Sequence, residues 1–199
     1  MIGRGRVWVA GLALFALAAG HRAAPAQGYG AAEATPRRDG FAIGFALGPS
    51  IYLGQGGLAG KNGVGGDFNL RLGTSASPSL LWLLELQAGG FLVDRTSEAG
   101  TERIFHQHAT LTLGAQVYVR ETLWLRFGGG VAGFHESEGQ GGPEREGTRR
   151  EGLAVIAGGG YDMFRRGIFA CDLELIVSGA ALDGAFLGHG GIQLGLVWY

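Results

Sequence analysis

The sequence predicts an all-β chain: an eight-stranded antiparallel up-and-down transmembrane β-barrel, preceded by a cleaved signal peptide. Three observations predict it. Apolar and polar residues alternate with period two through eight successive runs, which is the strand signature. The face opposite the apolar one carries ionisable residues near the strand centres. After residue 26 no uninterrupted apolar run, Leu80 to Leu84 included, exceeds five residues, far short of the roughly 20 that a membrane helix needs.

Residues 1–26 read as a signal peptide. Arg4 and Arg6 form a basic start, Val7 to Ala19 is apolar, and Ala24-Pro25-Ala26 is a small-x-small site with cleavage expected before Gln27. The apolar stretch is too short to span a bilayer. Removing it takes away Arg4, Arg6 and Arg22 and leaves 13 basic against 17 acidic residues, so a nucleic-acid partner has no electrostatic support. Cys171 is the single cysteine, which excludes an intramolecular disulfide. Residues 27–39 are too few for a domain and read as a short periplasmic tail. Residues 40–199 form the barrel.

The first run, about 40–53, sets Phe41, Ile43, Phe45 and Leu47 against Ala42, Gly44, Ala46 and Gly48. The second, about 64–73, sets Phe68, Leu70 and Leu72 against Asp67, Asn69 and Arg71. The third, about 79–93, opposes Trp82, Leu84 and Leu86 to Leu83, Glu85 and Gln87. In the fourth, about 103–120, Leu111, Leu113, Ala115, Val117 and Val119 alternate with Thr110, Thr112, Gly114, Gln116, Tyr118 and Arg120. The fifth, about 123–135, has Leu123, Leu125, Phe127 and Val131 against Trp124, Arg126 and Gly128. The sixth, about 152–163, has Leu153, Val155, Ala157, Tyr161 and Met163 against Ala154, Ile156, Gly158, Gly160 and Asp162. The seventh, about 168–181, has Phe169, Cys171, Leu173, Leu175 and Val177 against Asp172, Glu174 and Ser178. The eighth, about 186–199, has Ile192, Leu194, Leu196 and Trp198 against Gln193, Gly195, Val197 and Tyr199.

Connections after the even runs are short: Thr74 to Pro78, Glu121-Thr122 and Arg165-Arg166. Those after runs one, three and five are longer, the extreme being Glu136 to Gly152. Membrane barrels show this asymmetry between tight inner turns and long outer loops. Asp183-Gly184 is a tight-turn signal. A two-residue turn there pairs residues summing to 367, which sets Leu173 opposite Leu194, Phe169 opposite Trp198 and Glu174 opposite Gln193. Faces read from each strand separately then agree with a register read from the turn alone.

Two orientations are open. A soluble, lipocalin-like barrel would put the apolar face inside. A membrane barrel puts Asp67, Arg71, Glu85, Arg120, Arg126, Asp162, Asp172 and Glu174 in the lumen and the apolar face on lipid. Glycine favours the membrane orientation. It supplies 40 of 199 residues, against a usual share of roughly 7%, and much of it lies on the charged face. Small residues suit a lumen that eight strands leave just wide enough for side chains. Phe169, Trp198, Tyr161 and Met163 gather near the short-turn end, where an aromatic girdle belongs.

With the signal peptide, eight alternating strands, loops sorted by parity and a terminal aromatic Tyr199, the chain resembles the small outer-membrane β-barrel proteins of the OmpA/OmpX type, barrel only. The resemblance implies residence in the bacterial outer membrane, contact with its lipid and a C-terminal strand read by the insertion machinery. No peptidoglycan-binding domain is expected after strand eight, where the sequence ends. The apolar series Ile192, Leu194, Leu196 and Trp198 is offset by one from Tyr199, a departure from the pattern.

Three constellations could carry chemistry. His106 and His108 share a face; a turn pairing residues summing to 244 would set Glu136 and Glu138 across from them, a donor set suited to a divalent metal. Against this stands an ordinary polar rim. His135, Ser137 and Glu151 resemble the His-x-Ser pair and acid of the lipid A deacylases, also eight-stranded barrels. A bulge in Gly128-Gly129-Gly130 would turn that pair inward. The lumen charges are either an ion path or a closed network, and burial favours pairing. No catalytic, cofactor or metal residue is assigned. The expected role is structural or surface-interacting, through the outer loops of a monomer and an unknown surface ligand.

Overall fold

Antiparallel strands joined by short connections pair with their sequence neighbours, and a sheet with one apolar and one charged face must hide one of them. The computed structural model describes residues 38, 40–97, 100–137 and 148–199. The signal segment and all of the 27–39 tail except Arg38 lie outside the described residues. Eight strands run β1 (Phe41–Gly56), β2 (Gly63–Ser77), β3 (Leu80–Ser97), β4 (Gly100–Tyr118), β5 (Leu123–Ser137), β6 (Arg149–Arg166), β7 (Phe169–Leu182) and β8 (Ala185–Trp198). Each pairs antiparallel with the next, and β1 closes on β8 through pairs such as Phe45↔Leu196 and Ile51↔Gly190.

The apolar rows face outward. Leu113, Leu153 and Val155 are each more than 60% exposed, whereas Asp67, Arg71, Glu85, Arg126, Asp162, Asp172 and Glu174 are buried in the lumen. That polarity is the membrane arrangement and excludes the lipocalin-like alternative, whose interior is apolar. The charged middle of the lumen is sealed above and below. Tyr52, Leu58, Phe91, Phe134, Leu182 and Leu187 pack together toward the loop end, and Ala42, Leu81, Leu83, Tyr118 and Trp124 toward the turn end.

Lumen-facing glycine makes room for large side chains. A Cβ on Gly160 would lie 2.2 Å from the Trp124 ring, and one on Gly195 would lie 1.9 Å from Asp172 Oδ1. The tight Asp183-Gly184 turn holds Gly184 at φ +66°, and the β7–β8 register is the expected one, with Leu173↔Leu194, Phe169↔Trp198 and Glu174↔Gln193.

Several expectations are corrected. Arg120 is not a lumen charge: β4 ends at Tyr118, and Arg120 is exposed in the turn beyond it. Arg165 and Arg166 remain in β6, and the turn is Gly167-Ile168. The connection after β3 is not long. Both flanking strands extend instead, to Ser97 and from Gly100, as a projecting hairpin. A register shift between Asp162 and Phe164 breaks the β6 alternation, so Met163 and Phe164 are both exposed. The aromatic girdle at the turn end thereby gains Phe164 beside Phe169 and Trp198, whose rings lie 5.3 Å apart.

Candidate functional site

Two regions concentrate polar chemistry, the lumen and an outward patch near the loop end. Inward parity on each strand builds the lumen in layers, since alternate residues of all eight strands point to the axis.

At the turn end Arg38 enters the mouth. Its guanidinium lies 3.3 Å from the centre of the Tyr118 ring, bonds to the Pro78 and Glu121 carbonyls and sits 3.6 Å from Asp162 Oδ2. Arg165 reaches the same carboxylate at 2.7 Å. The hydroxyls of Tyr118 and Tyr199 are hydrogen-bonded to each other. This explains the offset of Tyr199 from the apolar series: Trp198 meets lipid, and Tyr199 closes the lumen.

In the middle layer Glu174 accepts from Arg71 Nη2 and from Arg126 Nη2, the latter at 2.9 Å. Glu85 Oε2 lies 3.2 Å from Arg126 Nε, and Asn69 donates to Glu85 Oε1. Above it Asp67 Oδ2 accepts from Gln87 at 2.6 Å and Gln193 at 2.8 Å, and His189 Nε2 lies 3.2 Å away. The gap among Gly44, Arg71, Gln116 and Tyr199 measures about 10 Å³, barely the space for one water. The charges form a packed network rather than a pore lining.

The histidine pair is not at a rim. His106 and His108 are 1% and 6% exposed and belong to an aromatic stack inside the lumen. His106 stacks on Phe91 and Phe134, and His108 meets Tyr52 and His189. The β4–β5 register sums to 242, not 244, so His106 faces Glu136 while His108 faces Phe134. Five residues separate the last pair, Tyr118↔Trp124, and centre the turn on Glu121, which gives this two-residue slip. Glu136 bonds Lys61 of the β1–β2 loop, and Glu138 lies outside the described residues. Among the described residues no group of three or more His, Cys, Asp or Glu is arranged to hold a metal.

On the outer surface the register through Gly128-Gly129-Gly130 is unbroken on both sides. No bulge intervenes, and His135 points outward. Glu151 shares its face, paired opposite Gly133, but its carboxylate is taken by Arg149 at 2.7 Å. The side chain of Ser137 lies outside the described residues; its backbone pairs with Phe105. The structure thus brings His135 and Glu151 to one face without a base–acid pair between them.

Beside these residues is a surface groove. Cross-strand pairing lines up Ala88, Ala109, Gly133 and Glu151 in one row and Gly90, Gln107, His135 and Arg149 in the row above. The small residues leave a depression of about 650 Å³. It continues into one of about 580 Å³ over Leu86, Leu111, Val131 and Leu153.

Composition and periodicity did not single out Tyr52, Phe91, Phe134, His189 or Arg38. A signal existed for the first three, which share the parity of the inward residues Ser50, Gln87 and Arg126 on their strands. Cys171 faces outward opposite Leu196, as the alternation requires.

No family model and no curated protein sequence matches the chain. Solved structures do resemble it. The attachment invasion locus protein Ail of Yersinia pestis, in complex with the heparin analogue sucrose octasulfate, is 16% identical. That match covers 80% of this chain and 99% of Ail, with a TM-score of 0.54. Neisserial surface protein A is 11% identical, with 80% and 97% covered and a TM-score of 0.54. The outer membrane protein OprG of Pseudomonas aeruginosa is 15% identical, with 83% and 99% covered and a TM-score of 0.51. At these identities the likeness is one of fold. The chain is an eight-stranded transmembrane β-barrel of the outer-membrane type.

Proposed function

We propose that this chain resides in a bacterial outer membrane as a monomeric, non-enzymatic barrel, with a structural or surface-interaction role carried by its outer loops. The filled lumen carries this reading. With Arg71, Arg126, Glu85 and Glu174 locked in mutual ion pairs and aromatic layers above them, the interior offers no route for a solute, which leaves the outer surface for recognition. The projecting β3–β4 hairpin and the segment between β5 and β6 supply that surface. Ail's heparin analogue invites the idea of a polyanion, but residues 136–152 hold five acids against three arginines. A ligand of mixed or basic character fits them better. The insertion machinery would meet the apolar row Ile192, Leu194, Leu196 and Trp198.

Fractionation and loop excision test the proposal. The mature protein should begin at Gln27 and sediment with outer membranes. Deleting 139–147, which removes no residue of β5 or β6, should leave the heat-dependent gel mobility of a closed barrel and should abolish adhesion of expressing cells to surfaces the intact protein binds. Recovery in the soluble periplasm, or adhesion unaffected by the deletion, overturns it.

A further inference from the structure

The outward groove on β3–β6 is not used by a loop-borne function. We propose that it seats one lipid, with an acyl chain in the depression over Ala109 and Gly133 and an anionic phosphate held at its upper end by Arg149. The inference rests on the membrane placement proposed above.

The occupant follows from position and charge. The lower row, Leu86, Leu111, Val131 and Leu153, belongs to the apolar belt and is exposed on the barrel's outside. A depression in that belt faces hydrocarbon, and an unfilled void forfeits dispersion contacts on its whole lining, so a chain fills it. Gly133 is its open floor: a Cβ there would meet nothing within 4 Å. Phe105 forms one wall, its ring lying over Gly90.

Polar side chains begin one row higher, at the level where a lipid's phosphate sits. Arg149 and Glu151 are 76% and 66% exposed. Glu151 engages one guanidinium nitrogen, which leaves most of the five Arg donors free for a phosphate. Gln107 and His135 add donors on the same row. This concentration is confined to one flank. Among the described residues, the outward ionisable side chains of the strands' loop halves are Asp94, Arg103, His135, Arg149 and Glu151, all on β3–β6. On β7, β8, β1 and β2 the described outward strand residues carry no charge.

Native mass spectrometry of the intact mature protein, released from nanodiscs of phosphatidylcholine doped with phosphatidic acid, tests the proposal. One phosphatidate should stay bound in preference to phosphatidylcholine. Arg149→Gln should lower its retention about tenfold, the effect of one charge-assisted hydrogen bond. Gly133→Leu, which fills the floor, should lower it as well. Glu151→Gln should raise it by freeing the guanidinium, a response that a purely apolar groove would not give. Gly190→Leu, outward on β8 across the barrel, should leave it unchanged. Equal retention of both lipids, or retention insensitive to Arg149→Gln, overturns the proposal. Failure of the wild type to enter nanodiscs or to show heat-dependent mobility would instead overturn the membrane placement on which it rests.

Discussion

Removing the charge of Glu174 tests whether the lumen network holds the barrel together. Glu174 is the shared acceptor of two buried arginines, bonding Arg71 Nη2 through Oε1 and Arg126 Nη2 through Oε2 at 2.9 Å. In Glu174→Gln the shape is kept and one carbonyl acceptor survives, but the carboxylate that neutralises both cations is lost. Arg126 retains Glu85 at 3.2 Å. Arg71 retains only Asp172, at 3.9 Å, too far for a hydrogen bond. Hydrogen bonds to charged groups contribute about 1.5–3 kcal/mol each, and breaking a buried pair by removing one partner costs about 3–5 kcal/mol. With one acceptor surviving, a loss of about 3 kcal/mol is expected. Urea unfolding in phospholipid vesicles measures it, with tryptophan fluorescence as the probe: Trp124 lies 5.1 Å from the Arg126 guanidinium and reports on this layer. The denaturation midpoint should fall with an unchanged slope, as for a change in stability without a change in exposed surface. A Glu174→Gln barrel within about 0.5 kcal/mol of wild type, the range of neutral surface changes, would refute the reasoning.

Three further outcomes are expected. Leu173→Arg puts a charge on the lipid face one residue from Glu174 and should weaken folding into bilayers by about 2–4 kcal/mol near the midplane. That loss should shrink in thinner bilayers, where the Glu174→Gln effect should not, so parallel behaviour of the two would mean that the faces are misassigned. Gly160→Ala drives a methyl into the Trp124 ring, 2.2 Å from its nearest atom, and should cost about 1–3 kcal/mol as an overpacked core does, with a shifted tryptophan emission; an unchanged midpoint counts against a packed lumen. Ser137→Ala should leave the cell's lipid A unaltered by mass spectrometry, because Glu151 is engaged by Arg149 rather than His135; an acyl chain lost with the wild type and regained in the variant would make this barrel a lipid hydrolase.

Period two is a local property of the pleated chain, which is why so much was legible without coordinates. Inward and outward sets on every strand, the Leu173↔Leu194 register and the lipid-facing place of Cys171 all follow from alternation plus one tight turn. Parity fails only where the chain adds a residue, as at Met163, or where a strand ends sooner than its alternation suggests, as before Arg120. Which side chains meet across the lumen is a different kind of quantity. It depends on turn length, as in the two-residue slip that set His106 rather than His108 against Glu136, and on the stagger accumulated around eight strands before β1 meets β8. That closure brought Arg71 of β2 to Glu174 of β7 and Gln193 of β8 to Asp67 of β2, contacts between residues more than 100 positions apart. It also set Ala109 and Gly133 beneath Gln107, His135 and Arg149 as one depression. The sequence determined which face each residue takes, because alternation is enforced within a single strand; the tertiary structure decided the partners, because they are chosen by the registers of all the strands at once.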